Sequence, residues 1–147
     1  MTRQHGLSFK KLDLHIHTPE SECFLDKNVT PKQIIDKAIE QELDAIAITD
    51  HNSGALIDDV KEAAKGKITV FPGVEITCSG GGNIHIIALF DIDKGTKTVE
   101  NLLGTLEITE DKYGKPDAFS NYTPTQVIDK IHEKGGIAVL AHANCNH

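Results

Sequence analysis

Segments with the apolar pattern of β-strands alternate with segments that have the pattern of α-helices along this 147-residue chain. The predicted strands are short runs that contain aliphatic residues, at residues 12–18, 44–50, 67–75, 83–90 and 137–140. The predicted helices begin after the Thr30-Pro31 and Thr123-Pro124 pairs and also cover residues 53–65 and 96–107. Such alternation predicts an α/β fold with a parallel sheet or barrel. In these folds the functional residues gather at the carboxyl ends of the strands.

The first predicted strand, Leu12–Thr18, alternates apolar and polar residues, as a half-buried strand does. Side chains two residues apart point to the same face of a strand, so Asp13, His15 and His17 are predicted to project together. Each neutral imidazole offers one nitrogen lone pair, and two of them at a strand's end can share a metal ion. Taken alone, so short a motif is equally typical of two surface histidines on an edge strand.

Residues with metal-binding side chains lie at the carboxyl ends of four predicted strands. They are His15 and His17, Asp50 and His51, Glu75, and His142. The carboxyl ends of parallel strands meet at one edge of the sheet, so these side chains are expected to lie close together. Histidines of an ordinary packed core do not explain this repeated placement. We therefore predict a shared metal site. The glycine run at residues 80–82 lacks the features of a phosphate-binding loop and predicts a hairpin turn.

The composition indicates one globular domain of ordinary polarity. A formal net charge of −7 without a lysine or arginine cluster argues against a broad nucleic-acid surface. A nucleotide substrate remains compatible with it, because bound metal ions would reverse the local charge. The three cysteines, Cys23, Cys78 and Cys145, form no CxxC pair, which favours a reducing, cytoplasmic compartment. No apolar stretch approaches the roughly 20 residues of a membrane span, and none has the pattern of a signal peptide.

The sequence resembles the PHP superfamily, the polymerase and histidinol phosphatase domains. Five motifs carry the resemblance in the family's order: Asp13–Thr18, Thr49–Asn52, Pro72–Ile76, His85–Ala88 and Gly136–His142. They span nearly the whole chain, which implies one PHP-like domain over residues 1–147. The fold that the resemblance implies is a partial or distorted (β/α)7 barrel with parallel strands.

The resemblance also implies a phosphoesterase that holds two or three divalent metal ions, commonly zinc, manganese or iron. Residue by residue, His15 and His17 correspond to ligands of a first metal. Glu75 corresponds to a carboxylate that bridges two metals through its two oxygens. His85 and His142 correspond to ligands of the second metal, together with Glu75.

A third metal site is implied at His51. Asp50 is the candidate for the catalytic machinery, with the expected role of orienting a ligand from outside the coordination sphere. The loop ligand of this region is ambiguous: counting forward from the HxH pair leads to Cys23, and counting back from the helix start at Thr30 leads to Asp26. We expect Asp26, because loops tolerate insertions and helix starts anchor an alignment better.

The family's late Asp-x-His motif does not occur after His142, and five predicted strands are too few to close a seven-stranded barrel. We therefore expect the sequence to be the N-terminal part of a longer protein, for example one of the PHP–ATPase type. We also expect this stretch by itself to bind metal incompletely and to hydrolyse phosphoesters poorly.

The function expected from these features is hydrolysis of a small phosphoester or nucleotide by a metal-activated water. One alternative is a non-catalytic or regulatory metal-binding module of a larger protein. Another is a nuclease, which the acidic charge balance disfavours. An open barrel edge favours a homo-oligomer or contact with further domains, because unpaired strand edges seek partners. No membrane partner is expected.

Overall fold

In the computed structural model, which describes residues 9–80 and 84–143, five strands form one sheet in chain order. The strands are β1 (Leu12–Ile16), β2 (Ala45–Ile48), β3 (Thr69–Thr77), β4 (His85–Leu89) and β5 (Ile137–Leu140). The helices are α1 (Pro31–Glu40), α2 (Ile57–Ala64), α3 (Thr96–Thr105) and α4 (Pro124–Glu133). Among these described residues, no helix has the length and apolarity needed to cross a membrane. The sheet curls into half a barrel, which confirms the predicted α/β class and partial barrel.

The fourth strand runs opposite to its neighbours. β1, β2 and β3 pair in parallel, but β4 pairs antiparallel with both β3 and β5. The prediction of parallel strands therefore holds for the first three strands and not for β4. A parallel neighbour needs a crossover of a dozen or more residues, whereas the segment between Thr77 and His85 has room only for a turn. The predicted glycine turn lies partly outside the described residues, but the β3–β4 pairing confirms the hairpin.

Helices α1 and α4 begin with the same arrangement of side chains. The Thr30 hydroxyl accepts a hydrogen bond from the Gln33 backbone N–H, and the Gln33 side chain accepts one from the Thr30 backbone. Thr123 and Gln126 repeat both bonds at the start of α4. These capping boxes satisfy backbone N–H groups that a helix leaves free at its first turn. Both helices therefore start where the sequence predicts.

The helices cover one face of the sheet, and the main hydrophobic core lies between the helices and the sheet. Apolar side chains with no exposed surface meet there from strands and helices, among them Ile35, Ile46, Ile57, Leu102 and Ile131. The other, concave face of the sheet borders a cavity of about 360 Å³, lined by side chains that include Leu12, Leu14, Phe71, Leu89 and Ile137.

Gly73 allows β3 and β4 to approach closely two residues before Glu75. A Cβ atom at residue 73 would lie 2.7 Å from the Ala88 carbonyl oxygen and 2.9 Å from Thr49 Cγ2. Both distances are shorter than real Cβ contacts, and the Ala88 oxygen belongs to a backbone that cannot rotate away. A methyl group there would push β4 off β3, and His85 away from Glu75 with it.

We expect Gly73→Ala to lower the free energy of unfolding by about 1–3 kcal/mol, the usual cost of inserting a methyl group into a packed site. Gly104→Ala is the matched control, because a Cβ at Gly104 in α3 meets no atom within 4 Å. That variant should gain up to about 1 kcal/mol, since alanine loses less conformational freedom than glycine in a helix. Denaturant unfolding of both proteins measures the difference. A Gly73→Ala protein as stable as the unmodified chain would contradict the close approach of the two strands.

Candidate metal centre

One oxygen of the buried Glu75 carboxylate lies against two histidines from the second half of the sheet. Oε1 is 2.8 Å from His85 Nδ1 and 2.9 Å from His142 Nε2. In the antiparallel hairpin Glu75 pairs with Ile87, so His85, two residues away, lies on the same face of the sheet. His142 follows β5 in a turn with a φ of 33°.

The other oxygen of Glu75 lies against three histidines from the first half of the sheet. Oε2 is 3.0 Å from Nε2 of His15, 3.0 Å from Nε2 of His17 and 3.3 Å from Nδ1 of His51. His51 continues the direction of β2 and pairs in parallel with Glu75 itself. The structure therefore brings together all five histidines that the sequence singles out, around the one carboxylate.

A bulge in β1 changes which side chains accompany His15. Asp13 pairs with Ile46 and Ile16 with Ile48, so β1 contains one residue more than β2 over this interval. A bulge of this kind re-aims the side chains that follow it. Asp13 was predicted to project with the histidines; instead it is exposed, and its Oδ1 accepts a hydrogen bond from the His15 backbone N–H.

The protonation states at the centre suit a cation. Burial alone would raise the pKa of Glu75, but the imidazoles of His15 and His17, each 3.0 Å from Oε2, hold it well below its usual range. Burial lowers the pKa of His51 to about 4, so this ring is neutral at neutral pH. The hydrogen bond to Glu75 raises the pKa of His15. Metal binding requires ionised carboxylates and neutral imidazoles, so a cation and a proton compete at His15.

The set of donor atoms fits divalent metal ions. Nε2 of His15 and Nε2 of His17 lie 3.0 Å apart, and one proton at most can lie between them. His51 Nδ1 is buried and has no hydrogen-bond partner among the described residues. A divalent ion satisfies several nitrogen lone pairs and carboxylate oxygens at once. In the described part of the chain, three groups have ligand atoms within 4.8 Å of one another: His15 with Glu75 and His142, His51 with Glu75 and His85, and His17 with Cys23 and His51.

Asp50 holds the loop that follows β1. It is fully buried, and its carboxylate accepts hydrogen bonds from the Thr18 backbone N–H at 2.6 Å, the Thr18 hydroxyl at 2.7 Å and the Ser21 hydroxyl at 2.7 Å. Bonds to an ionised acceptor are among the stronger ones in proteins. This arrangement fixes the loop in place, and the expectation that Asp50 orients a ligand stays a prediction.

Ser21 connects Asp50 to two of the histidines. Its oxygen accepts a hydrogen bond from the His51 backbone N–H at 3.0 Å and lies 3.2 Å from His17 Nδ1. Because the single hydroxyl proton is donated to Asp50, the oxygen acts as an acceptor toward His17. The His17 proton is thereby kept on Nδ1, and the lone pair of Nε2 is left facing Glu75. Sequence reasoning missed Ser21, because a serine in an irregular loop has no periodicity that marks it.

The loop after β1 presents Cys23, and not Asp26, to the histidines. Cys23 Sγ lies 3.4 Å from His17 Nδ1 and belongs to the group with His17 and His51. Asp26 is exposed, and its Oδ1 accepts hydrogen bonds from the backbone and side chain of Asn28. The expectation that Asp26 would approach His51 is therefore wrong. The count back from the helix fails because the last residues of the loop form a turn of their own.

Comparison with known proteins identifies the family. A model of the PHP domain matches residues 13–144. A 5′-3′ exoribonuclease of Haemophilus influenzae is 33% identical over 105 residues, which cover 70% of this chain and 36% of that protein. A 3′,5′-nucleoside bisphosphate phosphatase of Chromobacterium violaceum is 35% identical over 80 residues, which cover 53% of this chain and 27% of that protein. The chain thus spans about a third of the length of these curated relatives, or less.

Two solved structures share the fold. An amidohydrolase of Chromobacterium violaceum with bound sulfate superposes with a TM-score of 0.63 at 19% identity, covering 93% of this chain and 69% of that one. A Bifidobacterium adolescentis protein assigned as a metal-dependent phosphoesterase superposes with a TM-score of 0.62 at 20% identity, covering 91% and 67%. At this level of identity the two likenesses establish the architecture alone.

We expect Ser21→Ala to weaken metal binding, because it removes the acceptor that fixes the His17 tautomer. Loss of a hydrogen-bond partner behind a metal ligand costs about 10–100-fold in metal affinity. Ser79→Ala is the control; it removes a hydroxyl that donates to the Asn121 carbonyl oxygen. Calorimetric titration with zinc measures both affinities, and circular dichroism verifies that both variants are folded. Unchanged zinc affinity in a folded Ser21→Ala protein would contradict the positioning role.

Proposed function

Because the chain belongs to the PHP domain family, we propose that it is a metal-dependent hydrolase of phosphoesters. The ions are two or three in number and of the zinc, manganese or iron type. The residues proposed to hold them are His15, His17, His51, Glu75, His85 and His142. Asp50 is proposed as part of the machinery through its hold on the loop after β1.

The observation that carries this proposal is the division of partners between the two oxygens of Glu75. His85 and His142 lie against Oε1, whereas His15 and His17 lie against Oε2. A carboxylate placed in this way can hold two cations close together, one on each oxygen. Paired cations are the usual device for displacement at phosphorus, where both the attacking and the leaving oxygen need stabilisation.

Divalent ions in such a site supply a water that ionises near neutral pH and positive charge for the phosphoryl oxygens. The chain's own residues have three tasks. The imidazoles bind as neutral ligands, and the low pKa of His51 keeps this ring ready at neutral pH. Glu75 contributes the negative charge. Asp50 and Ser21 keep His17 in the tautomer that directs Nε2 toward Glu75.

The substrate is proposed to enter from the side of His15 and His142. Their side chains are 31% and 25% exposed, whereas the His51 side chain is 7% exposed. The centre is therefore open where β1 and β5 end and closed beneath β2. A phosphoryl group can approach the proposed metal ligands without displacing the core.

We propose nucleotide phosphoesters as the substrate class. The names of both relatives, an exoribonuclease and a nucleoside bisphosphate phosphatase, indicate phosphoester bonds of nucleotides. The formal net charge of −7 favours a small nucleotide over a long RNA, because a polyanion is repelled by acidic surface away from the metal ions.

The test is phosphate release from a nucleoside 3′,5′-bisphosphate by protein loaded with manganese or zinc. We expect slow turnover that a chelator abolishes and added metal restores. Glu75→Gln should reduce it to background, because the variant removes the negative charge between the proposed ions. His132→Ala, on the exposed surface of α4, is the matched control and should retain full activity.

Turnover that survives the chelator, or survives in Glu75→Gln, would contradict the proposal. Tight metal binding without turnover of any phosphoester would instead support a non-catalytic metal-binding module. Faster degradation of a 5′-phosphorylated RNA oligonucleotide than of the bisphosphate would support the proposed hydrolase activity but would identify RNA as its substrate class.

A further inference from the structure

We propose that the side chain of Phe119 is a stacking platform for the base of a nucleotide substrate, held beside the metal centre by the connection between α3 and α4. The inference rests on the proposed function and adds to it a residue that selects nucleotides over phosphoesters without a base. Neither the sequence motifs nor the names of the relatives assign a role to this phenylalanine.

The first support is the position of Phe119 in the sheet. Thr77 pairs on one side with His85 in β4 and on the other side with Phe119, which forms an isolated parallel bridge. Paired residues of neighbouring strands place their side chains on the same face, and so do residues two apart along one strand. Because Thr77 lies two residues after Glu75, the side chains of Phe119 and His85 share the face of the metal centre.

This position is within reach of a nucleotide bound at the centre. The backbone of Phe119 lies two strand spacings from His85, or about 10 Å. It lies about 7 Å beyond His51, because His51 pairs with Glu75 as Phe119 pairs with the residue two positions later. The ribose of a nucleotide separates its phosphate from its base by a comparable length. A phosphate between the proposed metal ions therefore leaves the base beside the ring of Phe119.

The second support is the exposure of the ring at the rim of the centre. Phe119 is 47% exposed, whereas the neighbouring His51 and Thr77 are buried. A single exposed aromatic ring is ordinary on a protein surface, but this one borders a buried group of polar side chains. A base stacked on it would remove apolar surface of both rings from water, which is favourable.

The third support is the attachment of the loop that carries Phe119. The Asn52 side-chain amide donates a hydrogen bond to the Ala118 carbonyl at 2.9 Å. The Ser120 N–H donates one to the Thr77 carbonyl at 2.8 Å. The backbone on both sides of the phenylalanine is thus fixed to the strand ends that carry the proposed metal ligands. A residue held in place before binding loses little conformational freedom when its ligand arrives.

A stacking platform has a consequence for selectivity. Every nucleobase has a π-face, so an aromatic ring accepts all bases without reading their hydrogen-bonding groups. Stacking requires no positive charge on the protein, which suits a chain with a formal net charge of −7. A phosphoester without a base, such as ribose 5-phosphate, cannot make this contact. Phe119 therefore favours nucleotides over sugar phosphates.

Tryptophan fluorescence provides the direct test, because the chain contains no tryptophan of its own. We expect adenosine 5′-monophosphate to quench the fluorescence of zinc-loaded Phe119→Trp in a saturable manner, and ribose 5-phosphate to quench it far less. Ile92→Trp is the matched control, because Ile92 is 51% exposed and follows β4 at the opposite end of the sheet. Its fluorescence should not respond to either compound.

Calorimetric titration of the zinc-loaded protein measures the contribution to selectivity. Removal of a stacking aromatic ring weakens binding about 5- to 150-fold for each base. We expect Phe119→Ala to lower the ratio of adenosine monophosphate affinity to ribose 5-phosphate affinity by a factor in that range. Phe119→Leu, which is apolar but has no π-face, should lower the ratio as well, and Phe119→Tyr should retain it. Circular dichroism verifies that each variant is folded.

Absence of quenching in Phe119→Trp, or an affinity ratio that survives in folded Phe119→Ala or Phe119→Leu, would overturn the inference. Bisphosphate turnover that Glu75→Gln abolishes would then leave the hydrolase proposal intact. Conversely, quenching specific to residue 119 in a protein without phosphoesterase activity would support the platform and contradict the proposed function. Both measurements report binding and not turnover, so the two failures are distinguishable.

Discussion

The pairing of one buried carboxylate with five imidazoles is the interaction on which the arrangement of this protein depends. A charged group out of contact with water is costly unless partners compensate for it. Glu75 has no exposed surface, and all five of its histidine partners lie within 3.3 Å of its oxygens. Because those partners come from β1, the end of β2, β4 and the end of β5, the register of every strand pair has to be correct for the carboxylate to be compensated.

The backbone around Glu75 explains how this pairing is kept in place. The Glu75 N–H donates to the Asp50 carbonyl, and the Asn52 N–H donates to the Glu75 carbonyl. Asn52 is buried and has a backbone φ of 48°. Its side-chain amide donates hydrogen bonds to the carbonyls of Lys115 and Ala118. The long connection between α3 and α4 is thus tied to the same short segment that carries Asp50 and His51. Rigid support of this kind is what a metal centre requires of its protein.

Much of the fold and of the candidate metal centre was predictable from the sequence, because a hydrophobic pattern indicates which residues are buried and where a strand ends. The isoleucine and alanine run of β2 and the Thr-Pro helix starts predicted their elements. The strand ends predicted the histidines at Glu75 except His85, which the family resemblance implied. The alternation of strands and helices predicted a parallel sheet and so missed the reversed direction of β4, which only the hairpin turn predicted at residues 80–82 implied. The extra residue in β1 and the turn at Asp26 are likewise set by tertiary contacts, and they moved Asp13 and Asp26 away from the centre.

The central claim is that the histidines around Glu75 are metal ligands. Crystals of the zinc-loaded protein, measured on both sides of the zinc absorption edge, test it directly. The account predicts anomalous peaks beside both Glu75 oxygens, at about 2.0–2.2 Å from the nitrogens of His15, His17, His85 and His142. Zinc bound elsewhere, or histidines that keep their hydrogen bonds to Glu75 at saturating zinc, would contradict it.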